Sequence, residues 1–496
     1  MNLDTLLLIT AAVLLVAIGA ARLGTRLGLP SLLLFLGLGL GLGPFFPFND
    51  AQLAHDLGFA ALVLILGEGG FTTRWSERKR AIRPAGLLAT LGVAVTIGAM
   101  TAFGYFVLQL DLATAVLLGA ITAPTDSAAV FSVLRAVPLP ARVRGVLEAE
   151  SGLNDAPVVL LVSAATAWAL GSAPAGGAWE VIGLVAVELV LGVALGLTLG
   201  FVGVMVMRHV ALPASGLYPL TAMGWVLLSY GTGVWLHVSG FAAVYVCAIV
   251  LGNSNLPHRN ATRSFAEGIG WIAQIGLFVM LGLLATPARL TTSTVLAGLA
   301  AGLFLTLVAR PLSVWVCAVW FKIPWQEQAF ISWAGLRGAV PIIMATVPLA
   351  STLPQAPALF DMVFVFVVVF TLAQAPSLAW CARVLGISSG DHAVDIEVEV
   401  APLDRIQADF MQINVPEKSR LHGVSILELR LPRNTVVSLI IRDGEPFAPN
   451  SRDILKHGDE LLVVVPATER DGVERRFRAI GRGGRLAKWN HEPDPD

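Results

Sequence analysis

Glu150-Ser151-Gly152-Leu153-Asn154-Asp155-Ala156-Pro157 sets two carboxylates, a hydroxyl and an amide close together, and a largely apolar run follows. Ionisable groups are costly inside a bilayer. Where they persist they mark an ion path, a proton relay or a buried pair. Residues four apart share a helix face, so Ser151 and Asp155 line one face and Glu150 and Asn154 the neighbouring one. A hydroxyl beside a carboxylate suits a small hard cation, because oxygen ligands replace its hydration shell. The second carboxylate needs a partner of its own if it is to stay charged.

The rest of the chain supports a membrane setting. Its 496 residues are 56% hydrophobic and 14% charged, against about 25% charged in soluble domains, and the mean hydropathy is +0.75. This is the composition of a polytopic membrane protein. A net charge of -1 leaves no bulk basic surface for nucleic acid. Cys247, Cys317 and Cys381 lie far apart in apolar segments, which suits packing rather than a disulfide framework or a metal site. No nucleophile–base set, metal cluster or phosphate loop is legible, and the glycine-rich run from Gly37 to Gly43 falls inside an apolar span. An enzyme and a cofactor are therefore not expected. The N-terminus lacks a basic leader region and carries Asp4, so a retained first helix is expected rather than a signal peptide.

A spanning helix needs about 20 mostly apolar residues. That rule predicts about thirteen spans, roughly at 3–21, 29–46, 53–72, 84–108, 113–134, 144–170, 178–207, 215–236, 239–253, 267–286, 292–320, 328–350 and 357–384. Placing the N-terminus outside puts fifteen loop Lys and Arg residues in the cytoplasm and Arg289 alone outside. The positive-inside rule thus predicts an odd number of crossings and a cytoplasmic C-terminus. Gly192, Gly196 and Gly200, four apart, predict close helix packing. Beyond about residue 390 the pattern changes. Residues 395–400 alternate acidic and apolar, and 436–441 and 460–465 are β-branched runs bounded by turn residues. A small cytoplasmic α/β domain is expected, followed by a loose polar tail. The predicted divisions are 1–386 in the membrane, 395–470 regulatory and 471–496 as tail.

Two spans carry breaks. Thr122-Ala123-Pro124-Thr125-Asp126-Ser127 interrupts the fifth, where proline removes a backbone hydrogen bond. Gly335-Leu336-Arg337-Gly338-Ala339-Val340-Pro341 interrupts the twelfth. Broken helices in corresponding halves are the sequence pointer to a transporter's midplane site. Two interior arginines, Arg310 and Arg337, can be matched with Glu150 and Asp126, leaving Asp155 free to exchange a proton. Spacing does not say which arginine goes with which acid, and the rival reading is that Glu150 also belongs to the ion site. A kinked packing helix, with Asp126 serving the broken ends or Arg337 rather than an ion, is also compatible. Glu68 sits near the cytoplasmic end of the third span, either at an ion entrance or as an interfacial residue beside Arg74. Gln274 reads as a packing amide.

With Thr125-Asp126, Glu150 through Asp155, Ala309-Arg310 and Gly335 through Ala339 in this order, residues 1–385 resemble the cation/proton antiporter-1 family. The resemblance implies inverted repeats, fifth and twelfth spans that unwind and cross, and a homodimer. It implies that Asp155 exchanges cation for proton, with Ser151, Thr125 and Glu68 as further cation ligands. Glu150 and Arg310 look like the family's buried ion pair, Asp126 and Arg337 would support the crossing, and Asn154 would orient the site. Ser127 stands where many relatives have proline. Residues 398–466 resemble the TrkA-C domain, which implies a small unidentified ligand. Antiporters joining both parts resemble bacterial potassium/proton exchangers of the cell inner membrane, tied to pH and cell-volume homeostasis. Longer relatives carry a further C-terminal domain, so regulation is expected to differ.

The implied cycle has K+ or Na+ competing with H+ for Asp155. An Asn-Asp pair has one exchangeable charge fewer than an Asp-Asp pair, so the exchange is expected to be electroneutral and one-for-one. The rival from another class is a ligand-gated cation channel, for which the sequence offers no Thr-Val-Gly-Tyr-Gly filter.

Overall fold

The computed structural model describes residues 3–27, 30–46, 48–73, 81–126, 139–172, 177–387, 398–403, 408–416, 419–432, 434–466 and 469–483. The chain forms two compact units, Met1–Ser388 and Ser389–Asp496.

The first unit is helical: α1 Leu3–Leu27, α2 Ser31–Leu42, α3 Ala51–Thr72, α4 Ile82–Phe106, α5 Leu112–Thr122, α6 Ala141–Ala169, α7 Gly177–His209, α8 Leu217–Trp235, α9 Gly240–Asn253, α10 Arg259–Leu284, α11 Thr292–Phe321, α12 Trp325–Trp333, α13 Ala339–Ala350 and α14 Ala356–Val384. Among the described residues, eight helices are long and apolar enough to cross a membrane: α1, α3, α4, α6, α7, α10, α11 and α14. Helices α2, α5, α9 and α13 are shorter and apolar.

The expected span at 328–350 is two helices, α12 and α13, separated by non-helical residues 334–338. The expected span at 113–134 is helical only to Thr122 in its described part. Residues 123–126 are non-helical, because Pro124 brings no N–H to continue the ladder. Residues 127–134, with Ser127, lie outside the described residues. Helix α10 starts eight residues before the expected span, and its charged first turns carry Arg259 and Arg263.

Packing divides this unit into two bundles. Helices α1, α2, α3, α7, α8, α9 and α10 pack on one another, as do α4, α5, α6, α11, α12, α13 and α14. The bundles meet chiefly where α13 lies along α3. Within the first bundle the glycine stripe of α7 brings it onto α9: a Cβ on Gly192 or Gly196 would sit 2.5 Å from the carbonyl oxygen of Ser239 or Ala243. In the second bundle α4–α6 and α11–α14 carry the same features in the same order. Both α4 and α11 contain a π-turn, at Leu88–Gly92 and Leu305–Ala309, and a broken segment follows each. Pro311 has no N–H to close the ladder across the second π-turn. The two helices touch beside these turns, where Ser313 Oγ donates to the Gly92 carbonyl at 2.8 Å. At one end of the bundle Arg142 of α6 bonds Glu327 of α12 at 2.7 Å.

The second unit holds one sheet in the order β1 Val398–Leu403, β2 Ala408–Asn414, β5 Glu460–Pro466, β3 Val436–Arg442, β4 Glu445–Phe447. Every pairing is antiparallel, and with its one α-helix among the described residues the unit is the small domain of mixed helix and sheet that was expected. Residues 395–397 of the expected first strand lie outside the described residues. The expected tail is also corrected at its start. Residues Arg470–Gly483 form helix α15, which buries Val473, Phe477 and Ile480 against Met411, Leu461 and Val463. Those three positions follow the i, i+4, i+7 spacing of one helix face.

Candidate functional site

The two unwound stretches meet. Asp126 N–H donates to the Leu336 carbonyl at 2.9 Å, and Arg337 Nη1 donates to the Ala123 carbonyl at 2.9 Å. Thr371 Oγ1 of α14 donates to the Arg337 carbonyl at 2.8 Å. Backbone groups released by the breaks are thus partly satisfied across the crossing, as non-helical backbone at membrane depth requires. Gly338 permits the approach, because a Cβ there would overlap the Asp126 carboxylate.

Helix α6 runs past this crossing and is tied to it at Thr125. Ser151 Oγ donates to the Thr125 carbonyl at 2.8 Å, and Asn154 Nδ2 donates to Thr125 Oγ1 at 3.0 Å. The neighbouring faces of α6 therefore grip one residue of the broken segment. Asp155 Oδ1 and Asn154 Oδ1 are buried and have no hydrogen-bond partner among the described residues. Asp155 borders a cavity of about 300 Å³ whose walls come from both bundles. Glu68 and Thr72 of α3, Tyr245 of α9 and Gln274 of α10 line one side; Asp126, Ser151, Asp155 and Ala339 line the other. Oxygen atoms dominate the polar lining, which is the donor chemistry of a hard monovalent cation.

Glu150 points elsewhere. Its two oxygens take Arg310 Nη1 at 2.5 Å and Nη2 at 2.8 Å, and the residues are 1% and 3% exposed. This bidentate geometry offsets the desolvation of both charges. Gly335 faces the guanidinium, and a Cβ there would lie 2.6 Å from Arg310 Nε. Arg337, 4% exposed, lines a small second cavity together with Arg310.

The structure thus brings Asp155, Ser151, Asn154, Thr125, Asp126 and Glu68 to one crossing and its cavity, and pairs Glu150 with Arg310. Asp126 and Arg337 each bond backbone of the opposite broken segment, and their side chains line different cavities. Gln274, expected to be a packing amide, is in the cavity wall, as is Phe278 one turn on. Their shared spacing of four was the available signal. Tyr245 was missed, and a tyrosine in an apolar helix carries no local signal of its role. Its clue is Gly152, where a Cβ would overlap the Tyr245 hydroxyl.

The family described as "Sodium/hydrogen exchanger, transmembrane" matches residues 11–384. The chain belongs to that family. The exchanger family consists of cation/proton antiporters, which are transporters and not enzymes. A TrkA-C domain matches residues 410–478. The K(+)/H(+) antiporter NhaP2 of Shewanella oneidensis is 34% identical over 472 residues, covering 93% of this chain and 81% of that protein. The K(+)/H(+) antiporter NhaP of Alkalimonas amylolytica is 33% identical over 469 residues, covering 92% and 80%. Among solved structures, the sodium proton antiporter MjNhaP1 of Methanocaldococcus jannaschii superposes with a TM-score of 0.67 at 23% identity, over 78% of this chain and 99% of that one. This last likeness speaks to the fold.

Proposed function

We propose that this exchanger moves K+ against H+, one for one, with Asp155 carrying either ion. The observation that supports it best is the buried, unpartnered carboxylate oxygen of Asp155 at a cavity between two helix bundles. Ser151, Thr125 and Glu68 complete the cation's oxygen shell. Asn154 orients the site through its bond to Thr125, the Glu150–Arg310 pair holds α6 to α11, and Asp126 with Arg337 secures the crossing. A carboxylate neutralised by either K+ or H+ crosses with its bundle, while the bare anion crosses poorly because of its desolvation cost. Relative movement of the bundles then alternates access.

Potassium is inferred from the two relatives above, both K(+)/H(+) antiporters by name; sodium would use the same ligands. We place residues 1–386 in the bacterial inner membrane, with the N-terminus outside and the C-terminus cytoplasmic, following the asymmetry of basic loops. Residues 395–470 act as a regulatory unit with a small ligand, and the exposed apolar face of α7 suits a homodimer within lipid.

The test is cation-induced dissipation of a pH gradient in proteoliposomes, comparing K+ with Na+. A K+ response that disappears in Asp155→Asn supports the proposal. A response to Na+ alone overturns the substrate, and cation flux without proton movement returns the channel reading.

A further inference from the structure

The second cavity shares no lining residue with the cation cavity, and the exchange cycle makes no use of it. Its walls include Arg310, Arg337, Thr306, Ser332, Thr371 and Gln374. Arg310 Nε, Arg337 Nε and Arg337 Nη2 are buried without a hydrogen-bond partner among the described residues. Three orphaned N–H groups on cations in one place are costly, since each charged donor left unmade forfeits about 1–3 kcal/mol or more. The hydroxyls opposite have already spent their protons. Ser332 Oγ donates to the Gln328 carbonyl at 2.7 Å and Thr371 Oγ1 to the Arg337 carbonyl at 2.8 Å, which leaves lone pairs on both.

We infer that this cavity holds a single ordered water, accepting from Arg337 and Arg310 and donating to the Ser332 and Thr371 hydroxyl oxygens. Size and polarity both select water. The cavity measures about 10 Å³, about what one buried water needs. A halide would meet the N–H groups but would face the hydroxyl lone pairs. The water joins the Glu150–Arg310 pair to the Arg337 that holds the crossing, so α6, α11 and the broken helices share one hydrogen-bonded network.

The test is cryo-electron microscopy of the full chain in lipid nanodiscs, at a resolution that shows ordered waters, in chloride and in gluconate buffers. A peak within hydrogen-bond distance of Arg337 Nε or Nη2 and Arg310 Nε, present in both salts, is the expected result. A peak lost in gluconate identifies an anion and overturns the inference. So does the absence of a peak in both salts. In variants, Ser332→Ala keeps the peak and Ser332→Val, which fills the space with methyl groups, loses it. A peak that persists in Ser332→Val also overturns the assignment. If Ser332→Val does not fold, the wild-type maps decide.

Discussion

Arg310 is the residue whose loss separates a structural from a transport role. Removing it alone leaves Glu150 charged, buried and unpaired, a change that costs about 3–5 kcal/mol. Arg310→Ala therefore lowers the melting temperature steeply in detergent, while the double change Glu150→Gln with Arg310→Met recovers most of it. Equal losses in single and double variants would show that the pair itself adds stability. In the second unit, Asp459 plays the comparable part. Burial raises its proton affinity, but Arg442 Nε and Nη2, both at 2.7 Å, and the Lys456 N–H hold its carboxyl below the ordinary value of 3.8. A depressed carboxylate adds stability that is fully present above its unfolded value and lost as pH falls through its folded value. Hydrogen exchange of the whole chain should thus show the β3–β5 region opening below about pH 4. Asp459→Asn should remove that pH dependence, and a profile unchanged by the substitution would reassign the acid response.

At the scale of elements, the crossing depends on close approach more than on side-chain chemistry. Asp126 N–H reaches Leu336 O because Gly338 leaves room for the Asp126 carboxylate. Gly338→Ala is expected to cut exchange at least tenfold, while Val340→Ala, two residues further on, cuts it far less. Equal rates in both variants would mean that the crossing tolerates separation. Helix α15 is held in the same manner as an ordinary soluble helix. Phe477 is fully buried against the sheet, and Phe477→Ala is expected to cost about 3–5 kcal/mol, read as loss of the second unit's cooperative melting in the full chain.

For the whole molecule, the cavity between two bundles supports the proposal that their relative movement switches access. Gly58 of α3 faces Ile343 of α13, with 3.4 Å between an added Cβ and Cγ2. Gly58→Cys with Ile343→Cys, in a background without the native cysteines, should stop exchange on oxidation and restore it on reduction. Exchange that continues through the cross-link would confine the motion to side chains. The proposed role of Asp155 as the single exchanging carboxylate also predicts no current on a solid-supported membrane at any cation gradient, and a measurable current would give the cycle unequal charges.

The sequence by itself determined what depends on local periodicity. Apolar length located the helices. Spacing of four put Ser151 with Asp155 and Glu150 with Asn154, and Pro124 and the glycines of 335–338 marked the breaks. These are properties of a single segment and its solvent. It did not determine the partner of Glu150, since the choice between Arg310 and Arg337 rests on contacts across 160 residues. Tyr245 and Gln274 reached the cavity wall only through the packing of α9 and α10, and α15 was hidden because its polar face outweighed three apolar positions. The division into two bundles with the cavity at their seam was likewise a tertiary decision. Inside a bilayer every helix satisfies its own backbone, so which helices pack together is set by side-chain fit and interhelical hydrogen bonds that no one segment carries.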